Sequence, residues 1–493
     1  MNYVGISCGF HDAAVSVIDK DGQILFAGHS ERYSKKKHDS ELCSGLMMDA
    51  HSRTTEQYEI HYYERPLVKA IRQVRAGQKI GPLSVKNIIG HTINYLPGRK
   101  GSIKTHNHHL CHAAAGFQTS PFEDATVVVI DSIGEMDTIS IWDARYDKNG
   151  KAKYKKLWGK KYPDSIGLFY SAMTARVGLR PLDEEYILMG MAAYGDPKKY
   201  NEYVSKLISN HNELEFAQNM HTGVCEDFLF GADDMDIAAA SQEVVETLIE
   251  AVMAKAKKYG TSENLVYGGG VALNCSANRN LGNYYKNIWI MPNPGDAGNS
   301  LGAAALGYGK KVKWNDAFLG HNIGGEYPVD KIIGLLHTDK IVGVANGRAE
   351  FGPRALGNRS LLADPRGSEI KDKVNEIKRR QKFRPFAPVI LEEHVSSYFD
   401  MPAGFDHSRY MQCIAPCRHP DLFPAIVHAD GTSRVQTVPN DGSGIRQLLE
   451  RWYELTGCPM LLNTSLNIRG EPMVNDRSDA DRFEKLYGVT VCS

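Results

Sequence analysis

Short, β-rich apolar runs alternate with polar turns in the first 31 residues. The runs are YVGISC, AAVSVID and QILFAGHSE, and the turns between them are GFHD and KDG. The same order returns near residue 125, where ATVVVID and TISIWDA flank the turn SIGEMD. The pattern predicts an internal repeat in which Asp12 and Asp131 each lie where a strand ends.

Two later segments share the order strand, glycine-rich turn, helix. They are NLVYGGGVALNCSANRNL and NIWIMPNPGDAGNSLGAAALGYG, and a helical pattern at about 237–259 precedes them. Backbone N–H groups of such turns bind phosphates in α/β folds, so the pattern predicts an α/β protein. The candidate nucleotide-binding residues are Gly268, Gly269, Gly270 and Asn274, and a tight turn without a ligand is the alternative.

The length of 493 residues suggests roughly two to four structural units. The sequence changes character at about 310–330 and then becomes dense in arginine and glycine, so we expect domains at residues 1–335 and 336–493. The nine cysteines are scattered, and the sequence shows neither a signal peptide pattern nor a long apolar span. These features favour a cytoplasmic protein with free thiols and no membrane contact.

The charge of the chain is balanced, with 58 Lys and Arg against 58 Asp and Glu. This balance argues against a protein covered in basic surface for nucleic acid, although it leaves room for local patches. Two basic runs exist, RYSKKKH at 32–38 and KAKYKKLWGKK at 151–161. Such runs are typical of solvated loops or faces.

A candidate metal site begins in the segment NHHLCHAAAG. His108 and His112 are four residues apart and share one face of a predicted helix, but two ligands do not make a tight site. Asp131 and Asp296 follow strands and could complete a two-His, two-Asp set for Fe(II), Mn(II) or Zn(II). A core helix with satisfied histidines, and carboxylates that only brace their turns, are the alternatives.

His11 and Asp12 form a candidate catalytic pair in the turn GFHDAA after the first strand. A histidine beside an acid can deprotonate an acceptor hydroxyl. A structural turn histidine bonded to Asp12 is the alternative, and the residues alone do not choose between the two.

Basic residues cluster on Gly- and Pro-bounded turns in the C-terminal part of the chain. Arginine forks bind phosphate or carboxylate oxygens through paired hydrogen bonds. The set predicts a pocket for a small polyanion, and surface salt bridges are the alternative. The candidate residues are Arg348, Arg354, Arg359, Lys378, Arg380, Arg384 and Arg434, with Ser465 and Asn467 beside them.

Taken in order, these motifs resemble the O-carbamoyltransferase family that includes nodulation-factor and antibiotic carbamoyltransferases, over nearly the whole chain. The most distinctive is FGPRALGNRSLLADPR. The other motifs that carry the resemblance are GFHDAA, ERYSKKKHD, HHLCHAAAGF, VVVIDSIGE, GLFYSAMTARVGL, EEYILMGMAAYG, GGGVALN, NPGDAGNSLGAA, KFRPFAP, HADGTSRVQTV and NTSLNIRGEP.

The resemblance implies an N-terminal actin-like, sugar-kinase-like fold of two subdomains and a C-terminal α+β domain similar to threonylcarbamoyl-adenylate synthases. The C-terminal domain would make carbamoyl adenylate from carbamoyl phosphate and ATP. The N-terminal domain would transfer the carbamoyl group to a hydroxyl, with an iron ion holding the adenylate. The implied cofactors are therefore ATP and a divalent metal, Fe(II) in the family, with Mg²⁺ also compatible.

Matched by motif, the resemblance implies a role for each candidate group. His108, His112, Asp131 and Asp296 would be the metal ligands, and His11 would lie near the acceptor. Lys37 matches a lysine that reaches the nucleotide phosphates. The implied carbamoyl phosphate and ATP pocket comprises Arg354, Lys378, Arg380, Arg384, Ser465 and Asn467.

Two positions depart from the family pattern, and the sequence does not show the effect of either. Ser132 stands where the family has glycine in its DGxGE turn, and Ile187 stands where it has lysine. The sequence does not choose among natural products, sugars and hydroxymethylpyrimidines in DNA as the acceptor alcohol. A second copy of the chain, in a homodimer, is a further candidate partner. The other expected partners are small-molecule co-substrates.

Two other functions use parts of the same sequence pattern. A threonylcarbamoyl-type tRNA-modifying enzyme is disfavoured because tRNA systems generally keep the two activities in separate chains. A non-enzymatic nucleotide- or metal-binding protein is disfavoured because the metal, glycine and arginine sets are retained together.

Overall fold

The computed structural model describes residues 1–54, 57–90 and 102–493, which form two compact units. The first unit comprises Met1–Ser30 and His38–Asn315, and the second comprises Glu31–Lys37 and Asp316–Ser493. Within the described ranges, no helix has both the length and the apolar character needed to span a bilayer. All nine cysteines are free thiols, as predicted.

The first unit opens with a five-stranded mixed sheet in the order β3-β2-β1-β4-β5. Its strands are β1 Asn2–Ser7, β2 Ala14–Ile18, β3 Ile24–His29, β4 Tyr58–Tyr62 and β5 Lys104–Thr105. β1 to β3 are antiparallel neighbours, while β1, β4 and β5 run parallel. The three predicted N-terminal strands are therefore confirmed.

The second sheet of this unit repeats that plan, with the order β12-β11-β6-β7-β8. Its strands are β6 Asp124–Gly134, β7 Asp137–Tyr146, β8 Ala152–Lys161, β11 Asn264–Gly268 and β12 Asn287–Trp289, and a separate hairpin comprises β9 Ile208–Asn210 and β10 Glu215–Phe216. β6 to β8 are antiparallel neighbours, while β6, β11 and β12 run parallel. Both sheets thus share one strand order and one set of directions. The predicted repeat is confirmed, and the unit has the duplicated sheet plan of the actin-like, sugar-kinase-like fold.

Two helices rich in small residues, α5 His108–Thr119 and α11 Asn299–Tyr308, lie on these sheets. The helices of the first unit are α2 Ser44–Ser52, α3 Pro66–Arg75, α4 Val85–Ile89, α5 His108–Thr119, α6 Ile166–Arg176, α7 Glu185–Met191, α8 Asn201–Ser205, α9 Asp234–Tyr259, α10 Cys275–Asn278 and α11 Asn299–Tyr308. α11 packs against β1 and α5, and α5 packs against β6 and β11. A Cβ on Gly302 would lie 2.0 Å from the Cys111 carbonyl oxygen, so the two helices need glycine to approach this closely. α9 confirms the helix predicted at 237–259.

The second unit is an α+β domain around a six-stranded mixed sheet in the order β20-β17-β21-β16-β14-β22. Its strands are β13 Phe318–Ile323, β14 Ile341–Ala345, β15 Gly347–Glu350, β16 Arg359–Ala363, β17 Ala387–Leu391, β18 Ile414–Pro416, β19 Thr432–Arg434, β20 Gln436–Val438, β21 Met460–Ser465 and β22 Val491–Cys492. Its helices are α1 Glu31–Ser34, α12 Val329–Thr338, α13 Ser368–Ile377, α14 Val395–Tyr398, α15 Gly444–Thr456 and α16 Arg477–Tyr487. One hydrophobic core joins the sheet to α12 and α15.

The two units divide between Asn315 and Asp316, whereas the sequence suggested a boundary near residue 335. That position lies inside α12, and β13 already pairs with β15 in the second unit. The segment Glu31–Lys37 also belongs to the second unit, which no local sequence pattern indicates. The assignment of a separate activity to each domain stays a prediction.

The basic run at 151–161 forms β8, an edge strand, where the sequence suggested a solvated loop or face. Lys156 pairs with Asp137 at 2.7 Å, and Lys160 lies 3.5 Å from Asp164. Lysines on an edge strand discourage pairing with another chain. The run therefore has a structural explanation.

Arg32 ties the segment Glu31–Lys37 to the rest of the second unit. Its side chain is 3% exposed, and its Nη2 donates a hydrogen bond of 2.8 Å to the carbonyl oxygen of Gly352. Burial lowers the pKa of Arg32, and the charge of Glu350, itself buried, opposes that effect. Without Arg32, the Glu350 carboxylate would lose a compensating charge in the interior.

We expect Arg32→Ala to lower the free energy of unfolding of the second unit by roughly 2–3 kcal/mol, because a buried charge and a buried carbonyl lose their partner. Hydrogen exchange of the β14 and β16 amides under native conditions measures this. Arg451→Ala is the matched control, since Arg451 is 49% exposed and should change stability by less than about 0.5 kcal/mol. Equal protection in the two variants would contradict a bracing role for Arg32.

Candidate metal centre

The two histidines predicted as ligands lie one turn apart at the start of α5. Asn107 caps this helix by accepting a hydrogen bond of 2.9 Å from the Leu110 N–H. The Nε2 atoms of His108 and His112 are 3.1 Å apart. His109 points elsewhere, with its Nδ1 2.7 Å from the Ser140 hydroxyl. The helical spacing thus brings together the two histidines that the sequence singled out.

The two predicted carboxylates lie against the same imidazoles. His108 Nε2 is 3.3 Å from Asp131 Oδ2 and 3.2 Å from Asp296 Oδ1. Asp296 starts a short 3-10 turn that leads into α11. Asp131 lies within β6 and not in a turn after it, because the strand continues to Gly134 after a register shift beyond Ile130.

The donor set fits a divalent cation. All four side chains are buried, and one ligand atom from each lies within 4.8 Å of the others. Ligands bound to one ion at roughly 2.0–2.2 Å stand roughly 3–3.5 Å apart, which is close to the distances found here. Two imidazole lone pairs 3.1 Å apart also repel unless a proton or a cation lies between them. Mixed nitrogen and oxygen donors suit Fe(II), Mn(II) or Zn(II).

Without a cation, a proton on His108 supplies the positive charge of the cluster. Burial disfavours the protonated form of His108, but the charge of Asp296 and the hydrogen bond to Asp131 outweigh it and raise its pKa well above the usual value. Burial likewise opposes ionisation of Asp296, yet the charge of His108 holds its pKa well below the usual range. Positive charge is therefore required at this point, whether it comes from a proton or from a metal ion.

Asn299 and Gly134 belong to this site and were missed by the sequence analysis. The Asn299 amide nitrogen lies 3.0 Å from His112 Nε2 and 3.3 Å from His108 Nε2. A Cβ on Gly134 would lie 2.5 Å from His108 Cδ2, so the ring fits only against glycine. Both residues stand in motifs quoted above, NPGDAGN and VVVIDSIGE, which was the available signal.

Glu135, next to Gly134, anchors the start of α5. It is buried, has a left-handed φ of 58°, and accepts hydrogen bonds from Arg65 and from Asn107 Nδ2. Because Asn107 caps α5, this carboxylate fixes the helix end that carries His108.

The predicted base, His11, lies at the rim of the cluster. Its Nδ1 is 2.9 Å from Asp12 Oδ2, and its Nε2 is 3.7 Å from Asp296 Oδ2. Burial lowers the pKa of His11, but the hydrogen bond to Asp12 and the charge of Asp296 outweigh it and raise it to about 9. The ring is thus held between one orienting carboxylate and one candidate metal ligand.

The glycine-rich turn after β11 packs directly on the strand that carries Asp131. Gly269 has a φ of +88°, and a Cβ there would lie 2.1 Å from the Ile130 carbonyl oxygen. The Gly270 N–H donates to Asp131 Oδ1 at 3.3 Å. Asn274 caps α10 and bonds to Gln242. These contacts favour the tight-turn alternative, and nucleotide binding by this turn stays a prediction.

The two departures from the family pattern also have a place in the fold. The Ser132 carbonyl accepts a hydrogen bond of 2.7 Å from the hydroxyl of Ser165, the N-cap of α6. Gly167 packs tightly on the Ser132 backbone, since a Cβ there would lie 2.8 Å from it. Ile187 is buried in α7 and serves the core.

In the second unit, Lys378 is the centre of the predicted anion pocket. It is 3% exposed, and its Nζ donates to the carbonyl and side-chain oxygens of Ser465 and Asn467 at 2.5–3.2 Å. Burial, with the charges of Arg380 and Arg384, lowers the pKa of Lys378 well below its usual value. The structure therefore brings together five of the residues predicted for this pocket. It places Lys37 in the segment Glu31–Lys37 of the same unit.

Other arginines of the predicted pocket contact the backbone. Arg359 is fully buried and donates to the carbonyl oxygens of Asn475 and Asn346, among others. Arg348 donates to the Leu319 carbonyl at 2.5 Å. Arg354 and Arg434 are partly buried. The contacts of Arg359 and Arg348 give both of them a bracing role.

We expect His112→Ala to weaken binding of Fe(II) or Zn(II) by more than roughly 100-fold, since one of four ligand atoms is removed. Metal content after equilibrium dialysis measures this. His407→Ala is the control, because the His407 side chain is 55% exposed. If the two variants retain equal metal, the cluster is not a metal site.

Gly134→Ala should lower metal affinity by roughly 10-fold or more, because the added methyl group displaces the His108 ring. Gly334→Ala is the matched control, since a Cβ at that helical position meets no atom within 4 Å. The same dialysis assay compares the two. An affinity unchanged in Gly134→Ala would show that the His108 position is not set by this contact.

Known carbamoyltransferase sequences match both the N-terminal and the C-terminal part of this chain. Residues 85–305 match the family described as Carbamoyltransferase N-terminus, and residues 333–491 match Carbamoyltransferase C-terminus. The uncharacterized protein sll1178 of Synechocystis sp. is 33% identical over 97% of this chain and 93% of its own length. Nodulation protein NolNO of Sinorhizobium fredii is 28% identical over 95% of this chain and 76% of its own length.

A further relative is named as an O-carbamoyltransferase. The 3'-hydroxymethylcephem-O-carbamoyltransferase of Amycolatopsis lactamdurans is 26% identical over 97% of this chain and 96% of its own length. Among solved structures, an activator of 2-hydroxyisocaproyl-CoA dehydratase from Clostridium difficile aligns with 62% of this chain and 94% of its own, at 15% identity and a TM-score of 0.35. The two family matches, together with the full-length relatives, show that this chain belongs to the carbamoyltransferase family.

Proposed function

We propose that this chain is an ATP-dependent O-carbamoyltransferase that forms carbamoyl adenylate from carbamoyl phosphate and ATP and then carbamoylates an acceptor hydroxyl. The observation that carries the proposal is the buried two-His, two-Asp cluster with His11 at its rim, 3.7 Å from Asp296. A cation site and an oriented histidine lie side by side there, as group transfer from a phosphate leaving group requires.

In the transfer step, the acceptor hydroxyl loses its proton to His11 as its oxygen attacks the carbamoyl carbon. The bond from that carbon to the adenylate oxygen breaks, and AMP leaves with the electron pair. Asp12 keeps the His11 ring oriented through the Nδ1 hydrogen bond of 2.9 Å. Fe(II) or another divalent cation at the cluster would supply positive charge that offsets the phosphate of the leaving AMP.

The activation step belongs, in this proposal, to the second unit. Carbamoyl phosphate, ATP and water would give carbamoyl adenylate, pyrophosphate and phosphate. Lys378 donates only to neutral oxygens there, and Arg380 and Arg384 add positive charge around it. The closeness of these three basic groups favours binding of a polyanion, which supports a phosphate-bearing substrate.

The proposed acceptor is an alcohol on a natural product or a sugar. The Amycolatopsis relative is named for transfer to a hydroxymethyl group, which supports an alcohol on a natural product or sugar as the acceptor. A hydroxymethylpyrimidine in DNA is the other candidate. Lys156 and Lys160 of β8 pair with acids within the first unit, so these two lysines add no support for a polymer substrate. The nine free thiols and the nucleotide co-substrate fit a cytoplasmic location.

Two variants should separate the half-reactions when protein, carbamoyl phosphate, ATP, Fe(II) and a panel of acceptor alcohols are mixed. Lys378→Met should lose formation of pyrophosphate by roughly 100-fold or more, because the pocket loses the amine that holds Ser465 and Asn467 and that a bound phosphate would favour in its charged form. His11→Ala should keep pyrophosphate formation and lose carbamoyl transfer by roughly 100-fold or more, the contribution of a general base. Labelled carbamoyl phosphate and pyrophosphate release measure both.

Lys382→Met is the control for Lys378→Met, since Lys382 is 68% exposed. If the unmodified chain releases neither AMP nor pyrophosphate, and no label reaches any acceptor, the proposed chemistry is wrong. Transfer to hydroxymethylcytosine-containing DNA that falls steeply with salt would identify the polymer acceptor, whereas transfer to a small sugar alone would remove it.

A further inference from the structure

A line of hydrogen bonds runs from the proposed base through three further side chains of the first unit. His11 Nδ1 meets Asp12 Oδ2 at 2.9 Å, and Asp12 Oδ1 meets His38 Nδ1 at 2.8 Å. His38 Nε2 then meets Asp183 Oδ1 at 2.8 Å. Arg180 Nη2 holds the other oxygen of Asp183 at 2.7 Å. The function proposed above uses only the first two members.

The charge of Asp12 fixes the direction of its two hydrogen bonds. An ionised carboxylate only accepts, so Asp12 accepts from the Nδ1 atoms of His11 and His38. Burial opposes ionisation of Asp12, but the hydrogen bonds from His11 and His38 outweigh it and lower its pKa. Asp12 therefore accepts on both oxygens, and its carboxylate plane is held by two imidazoles at once.

Backbone hydrogen bonds also hold the turn of His11 and Asp12 against the loop of His38. The Gly9 N–H donates to the Ser40 carbonyl at 2.7 Å, and the Ala13 N–H donates to the Asp39 carbonyl at 2.7 Å. These bonds join the turn that carries His11 to the loop that carries His38. The position of the base thus depends on a segment distant from it in sequence.

Both residues at the centre of the line have left-handed backbone. Asp12 and His38 each have a φ of 53°, which non-glycine residues rarely adopt. Backbone strain of this kind persists where the surrounding structure overdetermines it, and it is common at functional sites. Here the two strained residues hold each other through their side chains.

We propose that His38, fixed by Asp183, is a positioning residue for the His11–Asp12 base. It acts by locking the Asp12 carboxylate, so that Asp12 keeps His11 in the tautomer with hydrogen on Nδ1 and leaves Nε2 directed towards the cluster. The inference rests on the proposed function, because it assigns to His38 a share in carbamoyl transfer and none in adenylate formation.

The test compares variants that all tolerate left-handed backbone, so that relief or addition of strain does not confound them. Glycine and asparagine both accept this conformation. His38→Gly removes both hydrogen bonds. His38→Asn keeps an amide N–H in the region of Nδ1, facing Asp12, and loses the bond to Asp183. Asp183→Asn weakens only the hydrogen bond between Asp183 and His38 Nε2.

The expected result is a loss of kcat for carbamoyl transfer of roughly 10- to 100-fold in His38→Gly, as for other residues that orient a catalytic group. His38→Asn should restore most of the lost rate, and Asp183→Asn should lose less than His38→Gly. Pyrophosphate release, metal content and Tm should stay near those of the unmodified chain. A merely structural role would lower pyrophosphate release or metal content together with transfer, and that result would overturn the proposal, as would an unchanged kcat in His38→Gly.

A second readout does not depend on carbamoyl transfer. In metal-free protein with ¹⁵N-labelled histidine, held at a pH above the His11 pKa of about 9 so that the ring is neutral, the ring nitrogen shifts of His11, assigned by comparison with His11→Ala, report its tautomer. We expect protonation at Nδ1 to be fixed in the unmodified chain and to become mixed in His38→Gly. An identical spectrum in both would overturn the positioning role, whereas absence of transfer in the unmodified chain would overturn only the proposed function.

Discussion

The fold depends most strongly on one buried cluster of two imidazoles and two carboxylates. Each carboxylate costs several kcal/mol to bury unless positive charge lies against it. The backbone must therefore hold His108, His112, Asp131 and Asp296 at contact distance and keep them there. A loose arrangement would leave an uncompensated charge in the interior.

Close helix packing is how the first unit meets this demand. α5 supplies both histidines from its N-terminal end, and α11 begins three residues after Asp296. The two helices approach until Gly302 touches the Cys111 backbone, and α11 approaches β1 so closely that Gly5 has no room for a Cβ beside Ser300. The small residues of both helices thus serve the geometry of the charged cluster.

Much of this arrangement could be predicted from sequence because its signals are local. The i, i+4 histidine pair, the short motifs that contain Asp131 and Asp296, and the repeated strand pattern all lie within short windows, although Asp131 lies inside β6 and not at its end. The contacts of Asn299 with His108 and His112 bridge 191 and 187 residues, and no pattern along the chain reports such a distance. Nor does sequence distinguish an arginine that binds a ligand from one, such as Arg359, that donates to its own backbone.

Arg32 and Gly352 are separated by 320 positions, yet they form one buried contact. At about 5–20 residues per second of synthesis, Arg32 leaves the ribosome roughly 15–65 s before its partner exists. The arm that carries Arg32 is therefore synthesised before its docking site exists, and Arg32 can be buried against Gly352 only after the second unit has been made. Division of the gene at the boundary between the units would separate the arm from its site.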